Sequence, residues 1–498
     1  MDDVIVVGGG TAGCVVAARL SADPGRSVRL IEAGAAGVRH DLRSATSLAG
    51  SVPGHPATWS FPGHLTPDRP FTVPRGRILG GSSAVNGAYF TRGTPADYDD
   101  WAARGSPAWA YDRLLPYFRA METDHDFAGR AHGDAGPMPV TRPSGDLLGP
   151  APAAFLAACR ALGHPDQPDR NGGGPPGAGP VPANTRDGER VSTAAAYLPA
   201  DPAARPNLTV TTGTTVRRVV IERGRAVGVE AEAGGVRTVL RAGAVILCAG
   251  AVNTAHLLLL SGIGPAADLR RHGLPVVRDA PVGASFTDHP QLWLTYRTAA
   301  PVPVRPGMIL TQTALDTPDA EYLSTGVPMA AALAPEPPAR VADGVELALV
   351  IGLPRPESRG RLRLASADPD APPRLDYGYL EPAADRTRLR AAVRHGREIL
   401  ATPPLRDHAG TVLAPGADAT DRDLDAWIRA NLQTAFHLSG TAPMGAADDP
   451  HAVTDQYGRV HGVAALRVAD TSVIPVPMRR GPAATAVLIG ERMASFAT

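Results

Sequence analysis

Four residues near the start of the chain, Gly8, Gly10, Gly13 and Glu32, have the types and spacing to hold a dinucleotide. Gly8 permits a tight turn, Gly10 lets the backbone approach a pyrophosphate, and Gly13 lets a helix pack close to a strand. Thr11 and Ala12 open that helix, whose free N–H groups and partial positive charge suit phosphate. Glu32 stands 22 residues after Gly10, spaced to meet a ribose hydroxyl, with Ala33 beside it. The bland alternative is an ordinary βαβ turn with incidental glycines. A second cluster, Gly76, Gly80, Gly81, Ser82 and Ser83, is flanked by apolar residues. It can wrap backbone N–H groups around an extended ligand, and the basic Arg77 sits within it.

The elements that must place these residues follow from hydrophobic period. A β-branched run at 4–7 leads into the glycines, a helical pattern covers 14–20, and a second apolar run covers 28–31. Helical patterns recur at 97–103 and 112–121. Short strands are expected at 208–210, 216–221, 226–231 and 236–241, then a buried strand at 244–250 that ends in glycine and a helix at 253–260. The α/β pattern thus resumes late, so the dinucleotide domain is discontinuous. The region from 291 to 430 differs, with strands at 346–351 and 361–364 and a helix at 385–400. A last helix is expected at 484–494.

At 498 residues the chain exceeds one simple core, and two closely packed domains are expected. A formal net charge of zero argues against nucleic acid or a polybasic membrane surface as partner. The chain has no lysine, which reads as composition bias. The segment GGGPPGAGPVP at 172–182 reads as a flexible surface loop. Three cysteines, Cys14, Cys159 and Cys248, are too few and too odd for a disulfide framework and suit a reducing compartment. No metal-ligand spacing is present. The first strand begins right after MDD, leaving no room for a signal peptide, and no apolar run reaches the ~18 residues that span a bilayer. A cytoplasmic location is expected.

The motifs together resemble the glucose–methanol–choline (GMC) flavin oxidoreductases. Four blocks carry the resemblance across nearly the whole chain. They are the fingerprint at 8–13 with Glu32; GRILGGSSAVN at 76–86, similar to the family's first signature; 250–264, similar to the second; and FHLSGTAPMG at 436–445 with LRVAD at 466–470. The second signature carries TAHLL at 254–258 where members usually have Ser-Pro-Gln-Leu-Leu. Residues 75–93 resemble bacterial members, including those associated with the redox cofactor mycofactocin, for which the acceptor would be a redox carrier and not oxygen.

The resemblance implies an α/β fold: a discontinuous Rossmann-like FAD-binding domain and a second α+β substrate-binding domain on an antiparallel sheet. The FAD-binding parts would be 1–155, 188–290 and 431–498, with an excursion towards the substrate domain at 156–187 and the substrate domain at 291–430. Gly8, Gly10, Thr11, Ala12, Gly13, Glu32 and Ala33 would hold the ADP half. Arg77, Gly80, Gly81, Ser82, Asn86 and Gly87 would line the pyrophosphate and flavin. Val216 would touch adenine through its backbone, and Ala249, Gly250, Asp470 and Ala483 would close on the remainder. Some members link FAD through a histidine just before the signature asparagine; Val85 stands there, which implies non-covalent FAD.

His437 aligns with the family's catalytic histidine. Such a residue suits alcohol oxidation, since hydride leaves a carbon more easily once the hydroxyl proton is leaving. The implied partners are a small alcohol and an electron acceptor, either a redox carrier or oxygen. His289 and His461 are read as structural supports. The family's second histidine or asparagine falls at Gly481, framed by Pro482 and Thr485, so its side chain is missing and room for a bulkier substrate is expected. That loss keeps a second reading open, a non-oxidative or unusual flavoenzyme on the same fold, similar to hydroxynitrile lyase or a light-driven decarboxylase. Arg479 and Arg480 are read as surface or cofactor-adjacent.

Overall fold

The opening apolar run becomes the strand Asp2–Val7, its last four residues buried, between Val28–Ile31 and Val236–Leu247 in a parallel sheet. Leu208–Thr211 extends that sheet on one side and Leu466–Val468 on the other. The structure, a computed structural model, describes residues 1–35, 40–305, 307–334 and 345–497. Two strands expected at 236–241 and 244–250 are one strand, Val236–Leu247. Its first half pairs antiparallel with Arg225–Ala233 and its second half pairs parallel with Asp2–Val7. Gly243 sits where the two halves join, and a Cβ there would lie 2.9 Å from the Asp3 carbonyl oxygen.

Helix Thr11–Leu20 covers this sheet and packs against the final helix, Ala483–Phe496. Their approach needs a small residue, for a Cβ on Gly490 would lie 2.7 Å from the Val15 Cβ. A bidentate ion pair from Arg19 to the buried Glu491 ties the same two helices, with both bonds at 2.8 Å.

A second, antiparallel sheet runs in the order Thr411–Val412, Pro290–Arg297, Glu346–Gly352, Glu321–Thr325, Thr311–Asp316 and Ala178–Pro180. Side chains alternate between its faces. Leu294, Leu349 and Ile351 lie under helix Ala383–Ala401, where Gly396 lets the helix settle close. Gln291, Trp293 and Val350 face the other way, into a cavity. The loop expected at 172–182 is only half a surface loop. Residues 173–176 are exposed, but Ala178–Pro180 is an edge strand on Thr311–Asp316. Gly179 permits it, since any Cβ there would fall 1.8 Å from the Gln167 carbonyl oxygen.

A hairpin, Thr58–Thr66 with Arg69–Gly76, forms a further sheet with Arg361–Arg363 and Arg374–Asp376. The parallel sheet, the antiparallel sheet and this hairpin all contribute walls to one cavity of about 770 Å³.

Beside that junction lies a buried charge cluster. His132 holds Asp124 at 3.0 Å through Nδ1 and Asp169 at 2.8 Å through Nε2. Arg142 pairs with Asp124, and Arg92 pairs with the fully buried Glu122. Burial alone would lower the His132 pKa, but its bonds to Asp124, Asp169 and Glu122 raise it to about 10. A histidine raised in the folded state stabilises fully below its ordinary value near 6.5, and this contribution is lost as pH rises through about 10. Accordingly, the urea-midpoint gap between wild type and His132→Gln should be widest at pH 6 and shrink towards pH 10. A gap that does not change with pH would contradict the assignment of charge.

Candidate active site

The glycine turn builds one end of the cavity. Gly8 adopts φ +99°, and a Cβ there would strike the Cys248 carbonyl oxygen at 2.6 Å. Gly13 sits against the Gly8 carbonyl and does not reach the cavity; it serves helix–strand contact. Gly10 is the reverse case, with no atom within 3.8 Å of its missing Cβ, so its backbone stands open to the cavity. Thr11 and Ala12 line the same wall at a helix start whose N-cap, Gly10, offers no side-chain cap. The first N–H groups of that helix are therefore available to a ligand.

Glu32 Oε2 accepts the Gly9 N–H at 2.9 Å and Oε1 accepts the Gly34 N–H at 2.7 Å. Burial pushes its pKa up to about 7, against the pull of those N–H groups and of Arg77. Glu32 and Ala33 line the cavity.

The second glycine cluster is clamped onto the first. The Gly80 N–H donates to the Gly9 carbonyl at 2.7 Å, and a Cβ on Gly81 would lie 2.7 Å from the Gly10 Cα. Gly80 itself does not line the cavity, whereas Gly81, Ser82, Asn86 and Gly87 do. Arg77 lines it too and lies over the Trp59 ring at 4.4 Å. Val216, Ala249 and Ala483 also face it, and Gly250, at φ +80°, has nothing within 4 Å of its missing Cβ. Asp470 reaches the wall, but its carboxylate is engaged by the Gly250 N–H, the Thr254 hydroxyl and the Ser472 N–H and hydroxyl. It fixes the helix start at Gly250. His256, on that helix, keeps Nε2 buried in the wall with no protein partner.

At the other end stands His437. Phe436 before it holds φ +62°, an unfavourable region for an aromatic residue, and this turn carries His437 into the cavity. Asp288 secures the turn: Oδ1 accepts the N–H groups of His437 and His289, each at 2.7 Å, and Oδ2 accepts the Thr434 hydroxyl.

The imidazole state follows from a short chain of bonds. His289 Nε2 lies 2.8 Å from the Met478 carbonyl oxygen, which can only accept, so this nitrogen carries the proton. Burial lowers the His289 pKa, so the ring is neutral and Nδ1 bears a lone pair. His437 Nδ1 lies 2.9 Å from that lone pair and must donate to it. Burial first, and then the neighbouring His289 and Arg75, hold the His437 pKa well below its ordinary value. Its Nε2 is therefore an unprotonated acceptor. His289, read from sequence as a structural support, sets the tautomer of His437. His461 lies elsewhere, against the Gly445 carbonyl at 3.3 Å.

Gly481 does not leave the expected room. A Cβ there would lie 2.9 Å from both Cε1 and Nε2 of His437. The imidazole edge fills the place where a side chain would start, which corrects the expectation of space for a bulkier substrate. Tyr89, which the sequence did not single out, lines the wall beside it. Its hydroxyl is turned away to Glu321, within a buried cluster of Arg170, Arg480 and Asp316. Arg480 is 4% exposed and bound to Asp316, while Arg479 pairs with Asp97 at 2.9 Å. Neither offers an unpaired charge to the cavity.

A nucleotide cradle that shares one cavity with a neutral, oriented histidine defines a flavin-type oxidoreductase. Comparison with known sequences and structures agrees. The chain matches the GMC oxidoreductase family over residues 2–291 and 356–490, and it belongs to that family. A GMC-type oxidoreductase of Rhodococcus erythropolis is 42% identical over 99% of this chain and 98% of its own. An oxygen-dependent choline dehydrogenase of Vibrio vulnificus is 34% identical over 99% of this chain and 94% of its own. The solved structure of pyridoxine 4-oxidase from Mesorbium loti superposes with a TM-score of 0.91 at 30% identity, covering 99% of each chain. GMC oxidoreductases are FAD-dependent, and the open backbone at Gly10 and Gly250, the helix start at Thr11 and the lone nitrogen of His256 fit that cofactor.

Gly481→Ala tests the crowding at His437. The added methyl should tilt His437 and lower flavin reduction by about 10²-fold for small and large alcohols alike, with FAD content unchanged. A variant that keeps the wild-type rate would show that the site has room there after all.

Proposed function

We propose that this chain oxidises an alcohol, with His437 as the base. The observation that carries the reading is the bare Nε2 of His437, held by the bond from His437 Nδ1–H to His289 and from His289 Nε2–H to Met478. Nε2 accepts the hydroxyl proton, and His437, neutral at working pH because burial depresses its pKa, is ready to do so without first losing one. His289 holds the ring so that the lone pair faces the cavity. The Asp288 carboxylate spends Oδ1 on both backbones and Oδ2 on the Thr434 hydroxyl, so it takes no part in the transfer. FAD, when bound, supplies a hydride acceptor at the flavin N5. Gly8, Gly10, Thr11, Ala12 and Glu32 hold its ADP half, and Gly81, Ser82, Asn86 and Gly87 approach the flavin side.

The cofactor is held without a covalent bond. Val85, 4% exposed, packs with Leu42, Ala57 and Ile78 and offers no nucleophile where a linking histidine would stand. The electrons pass on to a redox carrier or to oxygen. Three free, buried cysteines suit the reducing cytoplasm. Among the described residues, no helix is long and apolar enough to cross a membrane.

His437→Ala should retain FAD and lower the anaerobic rate of flavin reduction by about 10²–10⁴-fold, the usual worth of a positioned base. Acid precipitation of either protein should leave the flavin in the supernatant. A wild-type reduction rate in the variant would remove His437 from its role, and flavin in the pellet would refute non-covalent binding.

A further inference from the structure

The antiparallel sheet turns one uncharged face to the cavity. Trp293 pairs with Val350, and Val350 pairs with Leu323, so the three form a row across neighbouring strands. Gln291, Thr325 and Thr311 flank that row. The Gln291 amide oxygen is already taken by the Trp293 Nε1–H at 3.1 Å.

No carboxylate is available to a ligand on this face. Those that line the cavity are Glu32, Asp370 and Asp470. Glu32 is bound by the glycine turn, Asp370 by Arg217 beside Val216, and Asp470 by the helix start at Gly250. Glu321 lies on the same strand face as Leu323, two residues earlier, but Tyr89 and Arg170 cover it and it does not line the cavity.

Positive charge, by contrast, is present. Arg75 lines the cavity and forms no ion pair among the described residues. Of the aromatic rings that line the cavity, two already carry a cation, with Arg77 over Trp59 at 4.4 Å and Arg75 over Phe436 at 6.0 Å, while the Trp293 ring carries none. A cationic ligand here would lose its water, find the Trp293 ring face but no free carboxylate in the lining, and meet Arg75.

We propose that the substrate is an uncharged alcohol with a compact apolar skeleton, its hydroxyl at His437 and its carbon chain on the Trp293–Val350–Leu323 row, and that quaternary ammonium alcohols are rejected. This rests on the alcohol-oxidising reading above. It separates this chain from its relative named as a choline dehydrogenase.

The test uses two alcohols of one shape, choline and 3,3-dimethylbutan-1-ol, which differ by a nitrogen cation in place of a carbon. Holoenzyme is mixed anaerobically with each and flavin reduction is followed. The neutral alcohol should be favoured by at least about 10²-fold in second-order rate constant, the scale expected for a buried charge left unpaired. Gln291→Glu should move that ratio towards choline. Equal or better reduction by choline overturns the inference, as does an unchanged ratio in a Gln291→Glu protein that retains FAD. Reduction by neither alcohol counts against the alcohol-oxidising reading alone. The pair is then titrated as ligands by perturbation of the flavin absorption. Tighter binding of the neutral alcohol upholds the inference, and choline binding as tightly or more tightly overturns it.

Discussion

Everything proposed for this site depends on one carbonyl oxygen, that of Met478, and on the fact that a carbonyl can only accept. Its demand for an N–H sets the tautomer of His289, which in turn sets that of His437. The result is a lone pair at Nε2 rather than a proton. The fold secures the carbonyl by close packing. A Cβ on Gly93 would lie 2.4 Å from the Met478 side chain, and the Arg479 N–H, the next along the chain, donates to the buried Asp97. Asp288 supplies the other half of the constraint by fixing both histidine backbones.

The same segment crowds Gly481, the position where the resemblance implies a second polar residue. With His437 leaning on His289, its ring edge occupies the ground above Gly481, and any side chain there would collide with it. The position of the His437 ring is thus coupled to a bare backbone at 481. Arg480, the next residue back, anchors that backbone from beneath through Asp316 and the Arg170 carbonyl. Removing one partner of such a buried pair typically costs about 3–5 kcal/mol, so the anchor should matter more to the position of the loop than to its charge.

Much of the nucleotide end was legible in the sequence because its determinants are local. A glycine that needs φ +99°, or that must touch a carbonyl, is written at one position and read there. The strands of the parallel sheet and the helix Ala383–Ala401 were legible for a similar reason, as hydrophobic period within one segment, whereas the hairpin Thr58–Thr66 with Arg69–Gly76 and the strands Pro290–Arg297, Thr311–Asp316 and Glu321–Thr325 were not singled out. What stayed hidden depends on residues far apart. His289 and His437 are 148 residues apart and meet only through the junction of the antiparallel sheet with the C-terminal loop. Tyr89 was obscured because its ring and its hydroxyl have different partners, Gly481 and Glu321, from distant parts of the chain. The edge strand Ala178–Pro180 hid within a glycine–proline run, where composition suggests a loop but the close approach of Gly179 to the Gln167 carbonyl requires a residue without a Cβ.

The central claim concerns where one proton sits, and nitrogen NMR reads that directly. In holoprotein carrying ¹⁵N-labelled histidine, with His437→Ala used to assign its signals, the account requires a neutral ring at pH 6. Nδ1 should carry the proton and couple to His289, and Nε2 should show the shift of an unprotonated nitrogen. A protonated Nε2, or a His437 that titrates near the ordinary histidine value, would contradict it.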